Sequence, residues 1–275
     1  MIKVDFHNHS TSSDGFLSPS QMVDRAKEND VMYFALTDHD TVSGLIEAKE
    51  RCSEVGINFI PGIELSTEYN NESIHVLGFF KDNSYTNPEL IKYLNELETA
   101  RLLRAKKMIT KLKEKFNIEI SYENVLKRSK GIIARPHIAY EIIEQGYPYD
   151  LEYIFNNFIG RGCDAYVPTF KLPTKDGIAL LKKYNALAFL AHPVLIKNSS
   201  IEELLKFDFD GIEAIYYQNT KDDERRLINI ANSHNLLISA GSDCHGNIKN
   251  DTKHGNVGDT HFSEQYLCNF LNALK

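Results

Sequence analysis

Short apolar runs that end in polar turns carrying histidine or carboxylate recur along this chain, separated by stretches of helical periodicity. Met1-Ile2-Lys3-Val4 reads as a strand running into Asp5-Phe6-His7-Asn8-His9. Side chains two apart on an extended chain point the same way, so His7 and His9 can grip one cation. Ser18-Pro19-Ser20, a hydroxyl cap with proline in the first turn, predicts a helix to about Asn29. A buried strand over Val31–Leu36 ends in Thr37-Asp38-His39-Asp40. A helix is expected over 42–55 and a strand over Ile57–Ile63 that ends in Glu64. A fourth strand, Ser73–Phe80, carries His75 near its start, where a bent or antiparallel strand would present it. This alternation predicts an α/β fold with a parallel sheet or barrel, whose reactive groups gather at strand C-termini. His7, His9, His39 and Glu64 fall at such ends.

From Asn87 the pattern changes. Leu90, Leu94, Leu97, Ala105, Met108, Leu112 and Phe116 sit near helical spacing, predicting one long helix. Helices are expected over 121–129, 135–145 and 150–159, with no strand between them. Residues 87–164 therefore read as a helical insertion or cap, and residues 1–86 with 165–275 as the barrel. The alternation resumes with a short extended piece at Tyr166-Val167-Pro168 and a helix over 174–184. The strand Ala186–Ala191 ends in His192-Pro193, and Gly211–Tyr216 forms another. After a helix over 221–234, the strand Leu236–Ala240 ends in Gly241-Ser242-Asp243-Cys244-His245, and residues 263–274 close the chain as a helix.

Composition narrows the possibilities. A chain of 275 residues with 42% hydrophobic and 25% charged residues fits a globular protein, and no apolar run reaches the ~20 residues of a membrane span. No signal-peptide pattern opens it, so a cytoplasmic protein is expected, with no membrane partner. Its four cysteines form no C-x-x-C pair, which argues against a disulfide framework or a thiolate metal site. Cys244 reads as a small buried filler. A net charge of −7 argues against duplex DNA as a partner, since that affinity comes mostly from phosphate neutralisation.

Any metal must then be held by imidazole and carboxylate. His7, His9, Asp14, His39, Glu64, His75, His192, Asp243 and His245 lie at or near strand ends in short polar turns, and they include six of the ten histidines. An ion takes about four to six ligands, so this set suits two or three divalent ions sharing a carboxylate. Mixed nitrogen and oxygen ligation fits zinc, manganese or iron. Such a cluster lowers the pKa of a bound water and clamps the oxygens of a phosphoryl group.

Taken together and in order, His7-x-His9, Thr37-Asp38-His39-Asp40, Pro61-Gly62-Ile63-Glu64, His75-Val76-Leu77-Gly78-Phe79, Ala191-His192-Pro193 and Gly241-Ser242-Asp243-x-His245 resemble the PHP (polymerase and histidinol phosphatase) family. The resemblance implies a distorted (β/α)7 barrel with a trinuclear site at its C-terminal mouth. It implies a first metal on His7, His9, Glu64 and Asp243, a second on Glu64, His75 and His192, and a third on Asp14, His39 and His245. Asp14 departs from the histidine many members carry there, which bears on the third site's metal preference. The insertion, with Arg101-x-x-Arg104 and Ala134-Arg135-Pro136-His137-Ile138-Ala139, resembles the subgroup that hydrolyses phosphate esters of nucleotides and short RNA.

The residues agree with a phosphate-bearing substrate. Residues 101–115 hold seven Lys/Arg and one acid, Glu114. Lys106, Lys107, Lys111, Lys113 and Lys115 read as a solvated face. Arg135 and His137 sit at a helix start beside proline, where anions are favoured and an arginine fork grips phosphate. Both are expected to touch the substrate phosphate, with Arg101 and Arg104 as further contacts. His234, His254 and His261 read as surface or loop residues. The expected reaction is phosphoester hydrolysis by a metal-bound hydroxide, with Arg135 neutralising charge and His137 orienting the phosphate or protonating the leaving group. Asp38 is expected to orient a ligand imidazole. The rival readings are a histidinol phosphatase, an amidohydrolase and a non-catalytic metal-dependent regulatory module. The amidohydrolase lacks an obvious bridging lysine here, and the module would predict lost ligands.

Overall fold

The structure is a computed structural model that describes residues 2–129, 133, 135–168, 172–246 and 254–275. Strand β1 (Ile2–Asp5) leads through a loop to α1 (Pro19–Glu28), then β2 (Tyr33–Leu36), α2 (Leu45–Val55), β3 (Asn58–Tyr69) and β4 (Glu72–Phe80). The long α3 (Pro88–Phe116) follows, then α4 (Tyr122–Ser129), α5 (Arg135–Glu144) and α6 (Leu151–Ile154), which runs into a π-helical turn at Phe155–Ile159. The chain continues through β5 (Leu172–Pro173), α7 (Thr174–Lys183), β6 (Ala186–Leu190), α8 (Ile201–Leu204), β7 (Gly211–Tyr216), α9 (Lys221–Ser233), β8 (Leu237–Gly241), β9 (His261–Phe262) and α10 (Glu264–Ala273). It divides into two compact units, residues 1–91 with 171–275, and residues 92–170.

In the first unit the strand order is β8-β7-β6-β4-β3-β2-β1-β9, with β5 on the side of β3. The segment after β1 pairs with β8 and with the residues that follow it. Phe6 N–H donates to Ala240 C=O at 2.9 Å, and His9 N–H to Cys244 C=O at 2.8 Å. The strand order thereby closes into a barrel. Of the nine strands, the two-residue β5 and β9 stand outside this ring, leaving seven among the described residues. All ring pairings are parallel except those of β4, which runs against both β3 and β6.

Local chemistry explains the departures from simple alternation. Tyr69-Asn70-Asn71-Glu72 turns β3 back on itself, with φ of 48° and 64° at the two asparagines. Asparagine tolerates this left-handed pair, which matches the twist of a two-residue hairpin. The hairpin extends β3 well past Glu64, so Glu64 lies mid-strand and not at the expected strand end. Its neighbour β2 stops earlier, and β3 is free to run on with β4. At the other end, Ser18 caps α1 by accepting from Gln21 N–H while Gln21 returns a bond to Ser18 N–H, a capping box around Pro19. Residues 166–168 take no strand, and β5 forms instead at Leu172–Pro173. The helix expected over 150–159 divides into α6 and the π turn.

The first unit's core includes Phe6, between Asp5 and His7. It stacks on Phe270 at 4.7 Å and meets Phe262 and Phe79 edge-on. Burying a side chain of this size contributes roughly 1.5–3 kcal/mol, so the residue beside the first histidine is firmly anchored. The helical unit has its own core, built on Ala105, Met108, Leu112, Ile138, Ile142 and Phe158. No described helix is long and apolar enough to cross a membrane.

Candidate metal centre

Every residue of the expected ligand set comes from one side of the ring. His7 and His9 follow β1, His39 follows β2, Glu64 lies within β3, His192 follows β6, and Asp243 and His245 follow β8. The antiparallel course of β4 resolves the odd position of His75: it pairs with Ser66, just beyond Glu64, so the start of this strand lies beside the outgoing half of β3. Asp14 reaches back on the Ser/Gly-rich loop, with Oδ1 3.3 Å from His245 Nε2 and 3.7 Å from His9 Nδ1.

Glu64 is the hub. Its Oε2 lies 3.3 Å and 3.2 Å from Nε2 of His7 and His9 and 3.0 Å from Nδ1 of His39. Its Oε1 lies 2.8 Å from His75 Nδ1 and 3.0 Å from His192 Nε2. Asp243 Oδ1 faces the first histidine pair, 3.4 Å from His7 Nε2 and 3.1 Å from His9 Nε2. Among the described residues, three groups converge closely enough to share an ion: His7, His9, Glu64 and Asp243; His9, Asp14, His39 and His245; and His39, Glu64 and His75. The first is the first expected set. The second adds His9 to the Asp14/His39/His245 set. The third differs from expectation, since His39 joins Glu64 and His75 and His192 does not, although His192 approaches the same Glu64 oxygen as His75. Glu64 presents separate oxygens to the two sides, and the long loop after β2 brings His39 to Oε2.

The donors behave as ligands facing a cation. His7 Nε2 and His9 Nε2 stand 3.1 Å apart, a contact of two lone pairs unless a proton or an ion lies between them. His39 Nδ1 and Glu64 Oε2 are 3.0 Å apart, yet both are buried without an aligned hydrogen bond. Unpaired buried polar atoms are costly, and so many in one place fit a divalent ion. Without one, protons must do the work. Burial opposes charge on His39, but the Glu64 and Asp14 carboxylates push its pKa up to about 10. Against the same burial, Glu213, Glu64 and Asp243 raise His7. His39, His75 and His7 hold Glu64 well below the usual carboxylate range despite its burial. His75 is lowered, by burial together with the neighbouring His39 and His192. The backbone is strained here too, with φ of 26° at His192 and 54° at Asp243, a region non-glycine residues enter at a cost.

The PHP domain model matches residues 5–156. The chain belongs to the PHP domain family. A 5′-3′ exoribonuclease of Haemophilus influenzae is 32% identical over 249 residues, 88% of this chain and 90% of the relative. A 3′,5′-nucleoside bisphosphate phosphatase of Chromobacterium violaceum is 30% identical over 253 residues, 89% of this chain and 88% of that protein. Two solved structures share the fold at 28% identity and cover 99% of this PHP chain and 96% of their own. One is an amidohydrolase from Chromobacterium violaceum with bound sulfate and no metal, at a TM-score of 0.79. The other is a candidate metal-dependent phosphoesterase from Bifidobacterium adolescentis, at 0.78.

Several residues that hold this PHP site in shape escape a reading of the sequence. Asp38 orients no imidazole, contrary to expectation. Its Oδ1 accepts from Ser10 N–H at 2.7 Å and Ser13 Oγ–H at 2.5 Å, and its Oδ2 from Ser10 Oγ–H at 2.7 Å. The carboxylate points to the opening loop because two serines of that loop fill the space beside it. Asp5 ties together Ser242 and Gly258, and burial pushes its pKa up to about 6. Tyr216 Oη–H donates to Asp243 Oδ2 at 3.1 Å. Glu213 meets His7 and the backbone of His192. The available signal was an acid inside an otherwise apolar run, Gly211-Ile212-Glu213-Ala214-Ile215. His254 is no plain loop residue, since its ring lies 4.0 Å from that of His245. His261 pairs within β9, whereas His234 sits at the surface against Glu202.

In the helical unit, Arg104, Arg101 and Arg135 gather closely. Arg104 has its pKa lowered by burial and by the charges of Arg135 and Arg101, and its Nε–H donates to Val167 C=O at 2.8 Å. The Arg135 guanidinium lies over the rings of Phe155 and Tyr166, at 5.5 Å and 5.8 Å. His137 lies within the first turn of α5, half-buried, while Ala134 lies outside the described residues. The neighbouring lysines are exposed except Lys111, which donates to the carbonyls of Asp164 and Tyr166.

Proposed function

We propose that this protein is a metal-dependent phosphoesterase that removes phosphate from nucleotides of the AMP or 3′,5′-bisphosphonucleotide type and trims short 5′-phosphorylated RNA. The observation that carries the reading is Glu64 at the focus of five imidazoles, with Asp243 and Asp14 completing the ring of donors. The relatives' named activities on RNA and nucleoside bisphosphates support the substrate class. His7, His9, Asp14, His39, Glu64, His75, His192, Asp243 and His245 hold two or three ions of manganese, zinc or iron. Divalent ions there supply an acidified water and draw charge from phosphoryl oxygens.

The chain's own residues do the rest. The carboxylates of Glu64, Asp243 and Asp14 offset the cationic charge, and the imidazoles supply neutral nitrogens. The helical unit supplies recognition. Arg135 grips the substrate phosphate as a two-pronged donor, its guanidinium lying over the rings of Phe155 and Tyr166. His137 orients the phosphate or returns a proton to the leaving oxygen. Arg101 and Arg104 add positive charge around Arg135, and three clustered arginines favour an anionic ligand.

The test is product release, by chromatography, from manganese-loaded protein offered 3′,5′-bisphosphorylated adenosine, AMP, a short 5′-phosphorylated RNA and histidinol phosphate, with Asp243→Ala as control. Turnover of the nucleotides or RNA, absent in the variant, is the expected result, and the products separate phosphatase from exonuclease. Turnover of histidinol phosphate alone overturns the reading of the helical unit. No turnover by metal-replete protein overturns the reading as a whole.

A further inference from the structure

We infer that Glu213 is a positioning residue for the metal centre: one buried carboxylate fixes the ring of His7 and the backbone of His192 at once. The inference rests on the reading of His7 as a metal ligand through Nε2. Glu213 is fully buried on β7, an otherwise apolar strand, where an acid is costly unless both oxygens are satisfied. Both are. Oε1 lies 3.0 Å from His7 Nδ1, and Oε2 accepts from His192 N–H at 2.7 Å. A carboxylate only accepts, so Nδ1 of His7 must carry the proton. The opposite nitrogen, Nε2, is left to face Glu64, His9 and Asp243.

The second oxygen does a different task. His192 departs from helical and extended backbone, at φ 26° and ψ 64°. Its amide is held in that conformation by the Glu213 oxygen, and the imidazole then meets Glu64 at 3.0 Å. Space for the arrangement is reserved by Gly241. A Cβ there would come within 2.3 Å of His7 Cβ and 2.4 Å of Glu213 Oε1. Glu213 thus links β7 to ligands carried by β1 and β6.

Glutamine at this position cannot do both tasks. If its oxygen keeps His7 Nδ1–H, its NH2 opposes His192 N–H. If it turns to satisfy His192, its NH2 faces His7 Nδ1 and drives the proton to Nε2, which removes the ligand lone pair. Zn2+ affinity is measured by competition with a chelating dye for wild type and Glu213→Gln, and side-chain 15N spectra of histidine-labelled protein report the tautomer. We expect zinc-loaded wild type to show His7 protonated at Nδ1 and Zn2+ bound about 10–100-fold more weakly by the variant. Coordination of His7 through Nδ1, or wild-type affinity in the variant, overturns the inference and leaves the metal site standing. Wild-type protein that binds no Zn2+ overturns the metal-ligand reading and this inference with it. Should Glu213→Gln not fold, the wild-type tautomer alone decides.

Discussion

Replacing Asp38 separates a brace from a ligand-orienting group. Its carboxylate is buried and accepts three hydrogen bonds, all from the loop that carries His9 and Asp14. In Asp38→Ala the two serine hydroxyls can turn to other acceptors, but the Ser10 N–H is fixed in direction and buried. An unsatisfied buried donor costs about 1–3 kcal/mol, and losing charge-assisted bonds adds roughly 1.5–3 kcal/mol each before relaxation. With the hydroxyls partly recovering, we expect a net loss of about 3–5 kcal/mol. Asp38→Asn keeps one oxygen for Ser10 N–H and Ser13, and its NH2 donates to a turned Ser10 hydroxyl. Only charge is lost, so about 1–2 kcal/mol is expected. Urea unfolding of chelator-treated protein gives both values. Metal titration should show the two variants weakened in the same order, because Asp14 rides on the released loop. An Asp38→Ala cost below about 1 kcal/mol, or an asparagine variant as damaged as the alanine one, would refute the argument.

Two further outcomes follow from the same geometry. The pKa of His39 is raised from 6.5 to about 10, so its contribution is fully present below pH 6.5 and is lost as pH rises through about 10. His7, His192 and His245 are raised as well, and the metal-free protein should therefore weaken steadily from pH 6.5 to 9. Metal binding needs neutral imidazoles, so affinity should climb over the same range with protons released on loading. Urea midpoints with chelator that hold constant or rise with pH would contradict this. Gly241→Ala places a methyl against His7 and Glu213, and overpacking of this kind costs about 1–3 kcal/mol. It should reduce metal affinity as well as melting temperature, and an unchanged metal titration would show that the strand end yields without disturbing His7.

What the sequence made legible was chemistry at the ends of elements. His7-x-His9, His39, His192, Asp243 and His245 each terminate a short apolar run, and parallel strands bring such ends to one mouth whatever the details of packing. His75 was legible as a candidate ligand but not as a position, because local periodicity carries no information on strand direction. That direction was set by Asn70-Asn71, two residues whose tolerance of positive φ builds a hairpin. Glu64 looked like a strand end for the same reason: nothing local distinguishes a strand that stops from one that turns back. The bracing acids were harder still. Asp38 sits beside His39 and invites the reading that it orients an imidazole, yet its partners are serines 25 and 28 residues away in sequence. His254 was unreadable because its place beside His245 is a contact in space that nothing local in the sequence announces.

The site's architecture follows from the cost of its own ligands. Six imidazoles and three carboxylates packed together cannot be satisfied by hydrogen bonds alone, as the facing nitrogens of His7 and His9 show. Without metal, protons fill the gap, and the raised pKa values of His7 and His39 measure how strongly the carboxylates demand positive charge. Such a cluster would relax by rotating its rings outward unless something outside it held them. The loops and strands that carry them are pinned by acids that are not in the convergent groups: Asp38 on the opening loop, Asp5 on the Ser242 and Gly258 segments, and Glu213 on His7 and His192. Each pins a segment beside a different ligand, so loss of one should loosen part of the centre and leave the rest. The ring of strands supplies the rigid frame against which these carboxylates act, and that frame makes an unsatisfied, cation-seeking arrangement the stable one.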